Sequence, residues 1–308
     1  MDAIIVIDSG GLYYMKVISV SKKKFKELKK INLSREILNT EGIIYEFNYK
    51  GANKIVKTLY NLNGPIFANK LYTLEMLDNN IQYLPSSFYC PDYLFSVEDE
   101  IKGFTVPKID GINLSTILRT NNIDCKEQLY YLKQIGNILQ QLHNIRKYTP
   151  LKDLYLNDLH ESNFIVDMYN KELKVFDLDS CKICNNRPFA SKYLTSKSLA
   201  SNSKKYKVNT DESSNAYIVA DENSDLYCYS MIILNYLFSG NVGNMPIEEF
   251  YNYLNYLDYV GINKNLLDIF NKLVANCDNK NPMFYLESIT NEQIYRAKEI
   301  VYNKVKNR

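Results

Sequence analysis

The apolar pattern of this 308-residue chain changes its period near residue 112, and this change constrains the fold more than any other feature of the sequence. Before that point, short runs of β-branched and aromatic residues alternate with turn residues, a pattern typical of strands. Beyond it, apolar residues recur every three or four positions, as in residues 127–143, a pattern typical of amphipathic helices. The sequence therefore predicts an α+β chain with a strand-rich first third and a helical remainder.

The individual elements follow from the same patterns. The predicted strands are 3–7, 12–20, 43–47, 54–59, 92–97, 101–106, 164–166 and 173–176. The predicted helices are 65–80, 127–143, 225–238, 247–259, 264–276 and 290–305. A stretch rich in Ser, Asn and Lys at 186–215 predicts a long exposed loop, and 107–111 predicts a connector between the two regions.

Composition and charge limit the class of protein. Hydrophobic residues make up 46% of the chain and charged residues 23%, which is typical of a globular protein. A net charge of +2 gives no reason to expect a nucleic-acid partner. The first residues lack the basic region of a signal peptide, and the longest later apolar stretch, 226–238, is too short to span a membrane. We therefore expect a soluble, cytoplasmic protein without a membrane partner. Cys181 and Cys184 form a lone C-x-x-C pair, which we expect to be free thiols.

Three oxygen-bearing side chains flank the two short strands in the middle of the chain. Asp158 and Asn163 lie five positions apart directly before one apolar strand, and Asp177 ends the next one, in Val175-Phe176-Asp177-Leu178-Asp179. Mg²⁺ prefers hard oxygen ligands such as these. A carboxylate can also orient an attacking hydroxyl and accept its proton. The sequence therefore predicts a phosphoryl-transfer site at this point.

The same residues resemble the protein-kinase superfamily. Its catalytic loop is H-R-D-L-x-x-x-N and its metal loop is D-F-G, and Asp158-Leu159 with Asn163 matches the D-L-x-x-x-N part. The resemblance implies that Asp158 is the catalytic base and that Asn163 and Asp177 bind Mg²⁺. It also implies ATP as the cofactor and a two-lobed fold, with a small β-rich N-lobe at 35–110, a large helical C-lobe at 111–308, and a strand-bearing extension at 1–34.

The resemblance assigns further roles in the strand-rich region. Ile55-Val56-Lys57 is similar to the strand that carries the phosphate-binding lysine, and Glu75 in the next helix would pair with Lys57. The glycine-rich phosphate loop survives only as Gly42-Ile43-Ile44-Tyr45, since Ile37 and Asn39 occupy its earlier glycine positions.

Two other segments are also similar to kinase elements. Backbone groups of Pro107, Lys108 and Ile109 would bind adenine, as the hinge between the lobes does. Asp225, in Asp225-Leu226-Tyr227-Cys228, would brace the catalytic loop from the start of a long helix.

Some residues depart from the protein-kinase pattern. Leu156-Asn157 replaces the His-Arg of the catalytic loop, so we do not expect activation by phosphorylation of 196–203. No clear A-P-E motif follows, and Glu212 is the nearest candidate. His160 replaces the usual lysine and is a candidate partner for the transferring phosphate. Asp158-Leu159-His160 and Asp177-Leu178-Asp179 are also found in aminoglycoside-type small-molecule kinases.

Four functions stay open on sequence alone. The first is a Ser/Thr protein kinase, and the second is a kinase of small-molecule hydroxyls. The third is a pseudokinase that binds nucleotide or partners, which the eroded glycine loop favours. The fourth is an actin-like sugar or acetate kinase, because Ile4-Ile5-Val6-Ile7-Asp8-Ser9-Gly10-Gly11 is similar to its first phosphate loop.

Overall fold

The chain combines a strand-rich amino-terminal part with a helical carboxy-terminal part, which confirms the predicted α+β class. The structure is a computed structural model, and it describes residues 3–8, 11–31, 41–186, 209–210, 216–217, 220–275 and 280–306. The loop predicted at 186–215 lies almost entirely outside the described residues.

The long predicted elements are all present. The strands are β1 (Ala3–Asp8), β2 (Gly11–Val20), β3 (Lys29–Lys30), β4 (Gly42–Tyr49), β5 (Ala52–Leu59), β6 (Tyr93–Val97), β7 (Glu100–Pro107), β8 (Ile112–Asn113), β9 (Phe164–Asp167), β10 (Glu172–Val175), β11 (Asn209–Thr210) and β12 (Ala216–Tyr217). The α-helices are α1 (Lys22–Lys26), α2 (Gly64–Asn79), α3 (Leu114–Arg119), α4 (Cys125–Tyr148), α5 (Glu222–Phe238), α6 (Ile247–Val260), α7 (Lys264–Ala275), α8 (Met283–Leu286) and α9 (Asn291–Lys306).

One seven-stranded sheet contains every strand of the amino-terminal part, in the order β1-β2-β6-β7-β5-β4-β3. All neighbours pair antiparallel except β2 and β6, which are parallel. The predicted hairpin is formed by β4 and β5, and Lys50 and Gly51 turn it with positive φ. The strands of segment 1–34 thus belong to this sheet at both of its edges, while the domain boundaries stay a prediction.

Alternation along the strands divides the apolar residues of the sheet between its two faces. On β5, Leu59 packs in a cluster with Leu71 and Leu74 of α2, and Val56 packs in the cluster on the opposite face. Lys57 is two positions from Leu59, so its side chain leaves the sheet on the face that α2 covers.

The helical part is built around α4 and α5. α5 is buried along nearly its whole length, whereas α4 buries one stripe of apolar residues, as its sequence period predicts. A small sheet in the order β10-β9-β8 packs against α4 and α3, and the segments that precede β9 and follow β10 carry the predicted catalytic residues.

Two further features of the described residues concern the cysteines and the length of apolar helices. Cys181 and Cys184 are free thiols, as predicted. Across the described ranges, no helix is both long enough and apolar enough to cross a lipid bilayer.

Candidate functional site

Lys57 lies in the middle of a tightly packed strand. This strand is β5, and the strands on either side of it, β4 and β7, each place a glycine against its backbone. A Cβ on Gly42 would collide with the Thr58 carbonyl oxygen, and one on Gly103 would collide with the carbonyl oxygen of Lys57 itself. Gly42 therefore has a structural role in strand packing, in addition to the phosphate-loop position that the sequence assigned to it.

The Lys57 ammonium is surrounded by carboxylates. Its Nζ atom lies 2.6 Å from Asp177 Oδ1, 3.1 Å from Asp179 Oδ2 and 3.8 Å from Glu41 Oε2. Burial disfavours the charged amine, but the three carboxylates outweigh it and raise the pKa of Lys57 above its ordinary value. Lys57 is therefore a fixed positive charge in the interior, between the sheet and the segment after β10.

Asp177 occupies the predicted position after β10 in an unusual backbone conformation. Its φ of 60° and ψ of 40° are left-handed, which costs an ordinary residue about 1 kcal/mol. A single 3₁₀ turn, Leu178–Ser180, follows immediately. The turn brings the carboxylates of Asp177 and Asp179 to the same ammonium. In a continued strand, the two side chains would instead lie one behind the other on one face of the sheet.

The two carboxylates titrate in opposite directions. Burial raises the pKa of Asp177 to about 6, against the opposing charge of Lys57 and with the help of Asp179. Burial also disfavours the Asp179 carboxylate, but Lys57 and Lys70 hold its pKa well below its usual range. Asp179 is thus the permanent anion of the pair, and Asp177 is the carboxylate whose charge depends on pH.

Helix α2 supplies a lysine to this cluster and not the predicted glutamate. Lys70 Nζ lies 2.5 Å from Asp179 Oδ2 and 2.7 Å from Glu41 Oε2. Glu75 lies on α2 as predicted, but the ion pairs of Lys57 in the described structure go to other carboxylates. Five residues rotate a helix by about 140°, so α2 turns Glu75 away from the side on which Lys70 meets the cluster. The predicted Lys57–Glu75 pair is therefore replaced by contacts that the sequence reasoning missed.

The predicted catalytic loop is held by hydrogen bonds to its backbone. Asn157 has a φ of 58°, and the Asp158 N–H donates to the Leu156 carbonyl at 2.6 Å across this turn. Asn163 Nδ2 donates to the Asp158 carbonyl at 2.9 Å, and the Phe176 N–H donates to the Asn163 carbonyl at 3.1 Å. Asn163 thus links the loop of Asp158 to the residue that precedes Asp177.

His160 lies beside the predicted catalytic carboxylate, Asp158. Its Nε2 atom is 3.7 Å from Asp158 Oδ2, and its Nδ1 atom accepts the Ser162 N–H at 3.2 Å. Burial disfavours the charged imidazole, but the nearby carboxylate of Asp158, with the charges of Glu161 and Asp177, raises the pKa of His160. The Ser162 amide opposes a proton on Nδ1, so the arrangement favours a proton on Nε2, which faces Asp158.

Asp225 braces the loop from the first turn of α5. Its Oδ2 atom accepts the Leu156 N–H and its Oδ1 atom accepts the Asn157 N–H, each at 2.9 Å. Burial raises the pKa of Asp225 to about 6, in spite of these two amides. The Asn157 side chain donates to the Ser180 carbonyl at 3.2 Å. The contacts expected of Asp225 are thus present in the structure.

The predicted adenine-binding groups lie where β7 ends. Pro107 is the last residue of β7 and has no N–H to donate. The Lys108 N–H donates to the Asn53 carbonyl at 3.1 Å, within the sheet. Of the three predicted residues, Ile109 alone is left to offer an amide hydrogen to a base.

Ile44, on β4, lies directly across from Lys57 in the β4–β5 register.

Asn163 and Asp177 are the side chains that suit a hard cation. The amide oxygen of Asn163 accepts no hydrogen bond from any described residue, and the Asp177 side chain is 31% exposed. The described ranges hold no cluster of three or more His, Cys, Asp or Glu side chains placed to bind a metal. Mg²⁺ is commonly held by one or two protein ligands together with substrate phosphates, and these two residues fit such a site.

A cavity of about 340 Å³ lies apart from this cluster, among α4, α5 and the segment around α8. Three of its polar lining residues contact one another, since Glu222 Oε1 lies 3.0 Å from His143 Nδ1 and Glu222 Oε2 lies 3.3 Å from Arg146 Nη2. Asp225 also lines it, on the far side of the loop that it braces. The cavity is therefore next to the brace and separate from Lys57.

Several predicted features lie outside the described residues. They are the lost glycine positions Ile37 and Asn39, the candidate phosphorylation sites in 196–203, and Glu212. Comparison with known proteins adds no assignment: no protein-family model matches the chain, and no curated protein matches it.

Proposed function

We propose that this chain is a divergent phosphotransferase with a protein-kinase-like two-lobed arrangement, which transfers the γ-phosphate of Mg-ATP to a hydroxyl group in the cytoplasm. The observation that carries the proposal is the 2.6 Å contact between Lys57 Nζ and Asp177 Oδ1, two residues 120 positions apart. A phosphate-binding lysine and a metal-binding carboxylate must lie together in such a site. Lys57 lies on β5 of the seven-stranded sheet, and Asp177 follows β10 of the small sheet. Their contact supports this reaction over the actin-like alternative.

The cation would be held by Asn163 Oδ1 and the Asp177 carboxylate. When bound, Mg-ATP supplies the electrophilic γ-phosphoryl group and the cation that neutralises its charge. Lys57 offers a second positive charge to the phosphates, and its partner Asp179 keeps the ammonium in place. Ile109 offers a hinge amide to the base. The chain thus provides binding and orientation from both of its parts.

Asp158 would orient the acceptor hydroxyl and take its proton. The hydrogen bonds to Asp225 and Asn163 fix the backbone on either side of Asp158. His160 lies beside the Asp158 carboxylate with a proton favoured on Nε2. This proton can steady the carboxylate before transfer or meet the transferring phosphate during it.

The first candidate acceptor is a Ser or Thr hydroxyl of a protein, as the resemblance implies. A small-molecule hydroxyl is the second candidate, and one observation favours it. His160 stands where protein kinases have a lysine, and it is held in place by Asp158 and Ser162. Asp179, the last residue of the aminoglycoside-kinase-like Asp177-Leu178-Asp179, likewise contacts Lys57 and Lys70.

The test is transfer of label from γ-labelled ATP with Mg²⁺, using casein, the chain itself and an aminoglycoside panel as acceptors. We expect labelling by the wild type and none by Asp158→Asn or Asp177→Asn. Asp167→Asn is the matched control, because Asp167 ends β9 and pairs with Asn170 away from the cluster. Equal labelling by the wild type and both site variants would refute the assigned roles. Nucleotide binding without any transfer would instead support the pseudokinase alternative.

A further inference from the structure

Two lysine side chains share the same two carboxylate oxygens at the centre of this site. Asp179 Oδ2 lies 3.1 Å from Lys57 Nζ and 2.5 Å from Lys70 Nζ. Glu41 Oε2 lies 3.8 Å from Lys57 Nζ and 2.7 Å from Lys70 Nζ. The four groups thus form a closed ring in which cations and anions alternate.

The two carboxylates of the ring differ in how they are held. The Asp179 side chain is wholly inaccessible to solvent, whereas that of Glu41 is 40% exposed. The Glu41 carbonyl accepts the Tyr60 N–H at 2.9 Å, so the sheet fixes its backbone, and rotation of its side chain alone would remove it. Asp179 is therefore a permanent part of the site, and Glu41 is the part that another anion can replace.

The charges explain why such a replacement would be favourable. The side chains of Lys57 and Lys70 are only 13% and 7% exposed. Their ammonium groups repel each other, since both contact the same two carboxylate oxygens. Asp177, Asp179 and Glu41 together carry one more negative charge than the two lysines. An incoming polyphosphate would place several oxygens against both ammonium groups and would displace only a partly exposed, weakly held carboxylate.

We propose that Lys70 is a second phosphate-binding lysine, that Lys57 and Lys70 together bind the polyphosphate of a nucleoside triphosphate, and that Glu41 occupies this position until the nucleotide displaces it. The proposal rests on the proposed function. The sequence resemblance assigns neither Lys70 nor Glu41, and it expected a glutamate from α2 at this place.

The first test compares binding of a fluorescent N-methylanthraniloyl ATP by the wild type and by Glu41→Gln, at constant ionic strength. We expect Glu41→Gln to bind about fivefold tighter, because a partly exposed ion pair is worth up to about 1 kcal/mol. Glu98→Gln is the matched control: Glu98 is 49% exposed, lies in the turn between β6 and β7, and pairs with Lys22 of α1 at 2.9 Å. The control should bind like the wild type. Unchanged or weaker binding by Glu41→Gln would overturn the proposal.

The second test places the same change in a chain that lacks Lys70. Lys70→Met should weaken binding about tenfold or more, and adding Glu41→Gln to it should give little further gain. A full fivefold gain in the double variant would show that Glu41 acts independently of Lys70 and would contradict the proposal. If Lys70→Met does not fold, as judged by circular dichroism, Lys70→Gln replaces it, because its amide can still donate to Asp179.

A third measurement separates this proposal from the proposed function. Absence of nucleotide binding by the wild type would contradict the function, and inorganic tripolyphosphate then tests the two-lysine site without adenine. A larger thermal stabilisation of Glu41→Gln than of the wild type by tripolyphosphate would support the site alone. Equal stabilisation, or none, would overturn it.

Discussion

Asp177 is the carboxylate of the cluster whose charge changes near pH 6. This carboxylate contacts Lys57 at 2.6 Å, and the Asp177 side chain is 31% exposed, which leaves it accessible to a cation. Burial raises its pKa to about 6, so the group is ionised at neutral pH and becomes protonated as the pH falls through about 6. A protonated Asp177 is a poor ligand for Mg²⁺.

We therefore expect Mg²⁺-dependent nucleotide binding to weaken as the pH falls from 7.5 to 5.5. The measurement is a titration with fluorescent ATP at both values, with and without Mg²⁺. The gain in affinity that Mg²⁺ gives should shrink at low pH in the wild type. In Asp177→Asn it should be small at both values. A gain from Mg²⁺ that stays constant in the wild type would contradict the metal-binding role.

Single residues also differ in how far the sequence alone can assign them. Asp158, Asn163 and Asp177 could be proposed as site residues because their spacing relative to two apolar strands is visible in the sequence. Lys70 and Glu41 could not, because a lysine on a helix and a glutamate before a strand are ordinarily solvated. Their meeting depends on how α2 rotates against the sheet, which helical period alone does not specify. The same rotation places Lys70, and not Glu75, beside the Asp179 carboxylate.

At the scale of elements, the strand that carries Lys57 depends on close contact with its neighbours. Because Gly42 on β4 and Gly103 on β7 have no side chain, the β5 backbone can approach both strands closely. The exact position of the Lys57 ammonium, and therefore its distance from Asp177, follows from this packing. Changes in the sheet should act on the site through the position of β5.

We expect Gly42→Ala to destabilise the fold by about 2–3 kcal/mol, because its methyl group would force β4 away from β5. Gly51→Ala is the matched control. Gly51 turns the same hairpin with a φ of 85° and has open space around it, so the cost there should be about 1 kcal/mol of backbone strain. Urea unfolding measures both. Equal losses would show that close packing at Gly42 does not matter.

The elements themselves divide by length in how well the sequence predicts them. Helices α2, α4, α5, α6, α7 and α9 and the longer strands were predicted within a few residues, since each contains several repeats of its period. α4 begins earlier and ends later than predicted, from Cys125 to Tyr148. The pieces α1, β3, β8, α3 and α8 span two to six residues and were missed, because they are too short to show a period.

At the scale of the whole molecule, Asp225 connects the core of the helical part to the proposed reaction centre. α5 is the most deeply buried helix, and its first turn holds the amides of Leu156 and Asn157. Asn163 and Phe176 then connect that loop to the segment of Asp177, which contacts the sheet through Lys57. The stability of the core and the geometry of the site are therefore linked through one buried carboxylate.

The linkage predicts a pH-dependent effect of Asp225→Asn on stability. Burial raises the pKa of Asp225 to about 6 in the folded chain, whereas an unfolded aspartate ionises near pH 4. The folded wild type therefore loses stability relative to the unfolded chain as the pH rises from about 4 to about 6. The variant does not titrate at this position, so the stability difference between wild type and variant should fall by about 2–3 kcal/mol over that range.

Urea unfolding at several pH values measures this difference. Ser224→Ala is the control, since it removes the hydrogen bond from Ser224 Oγ to the Asp221 carbonyl and no titrating group. Its effect should be the same at every pH. A difference between the wild type and Asp225→Asn that does not vary with pH would show that the Asp225 carboxyl is not perturbed by burial.

The central claim is that Lys57 and Asp177 form a Mg-ATP site and that Asp158 acts on the acceptor. Calorimetric titration of Mg-ATP at pH 7.5 tests it most directly, with the wild type, Lys57→Met and Asp158→Asn. We predict one binding site in the wild type, at least about tenfold weaker binding by Lys57→Met, and nearly unchanged binding by Asp158→Asn. A wild type that binds no Mg-ATP, or a Lys57→Met variant that binds as well as the wild type, would contradict the account.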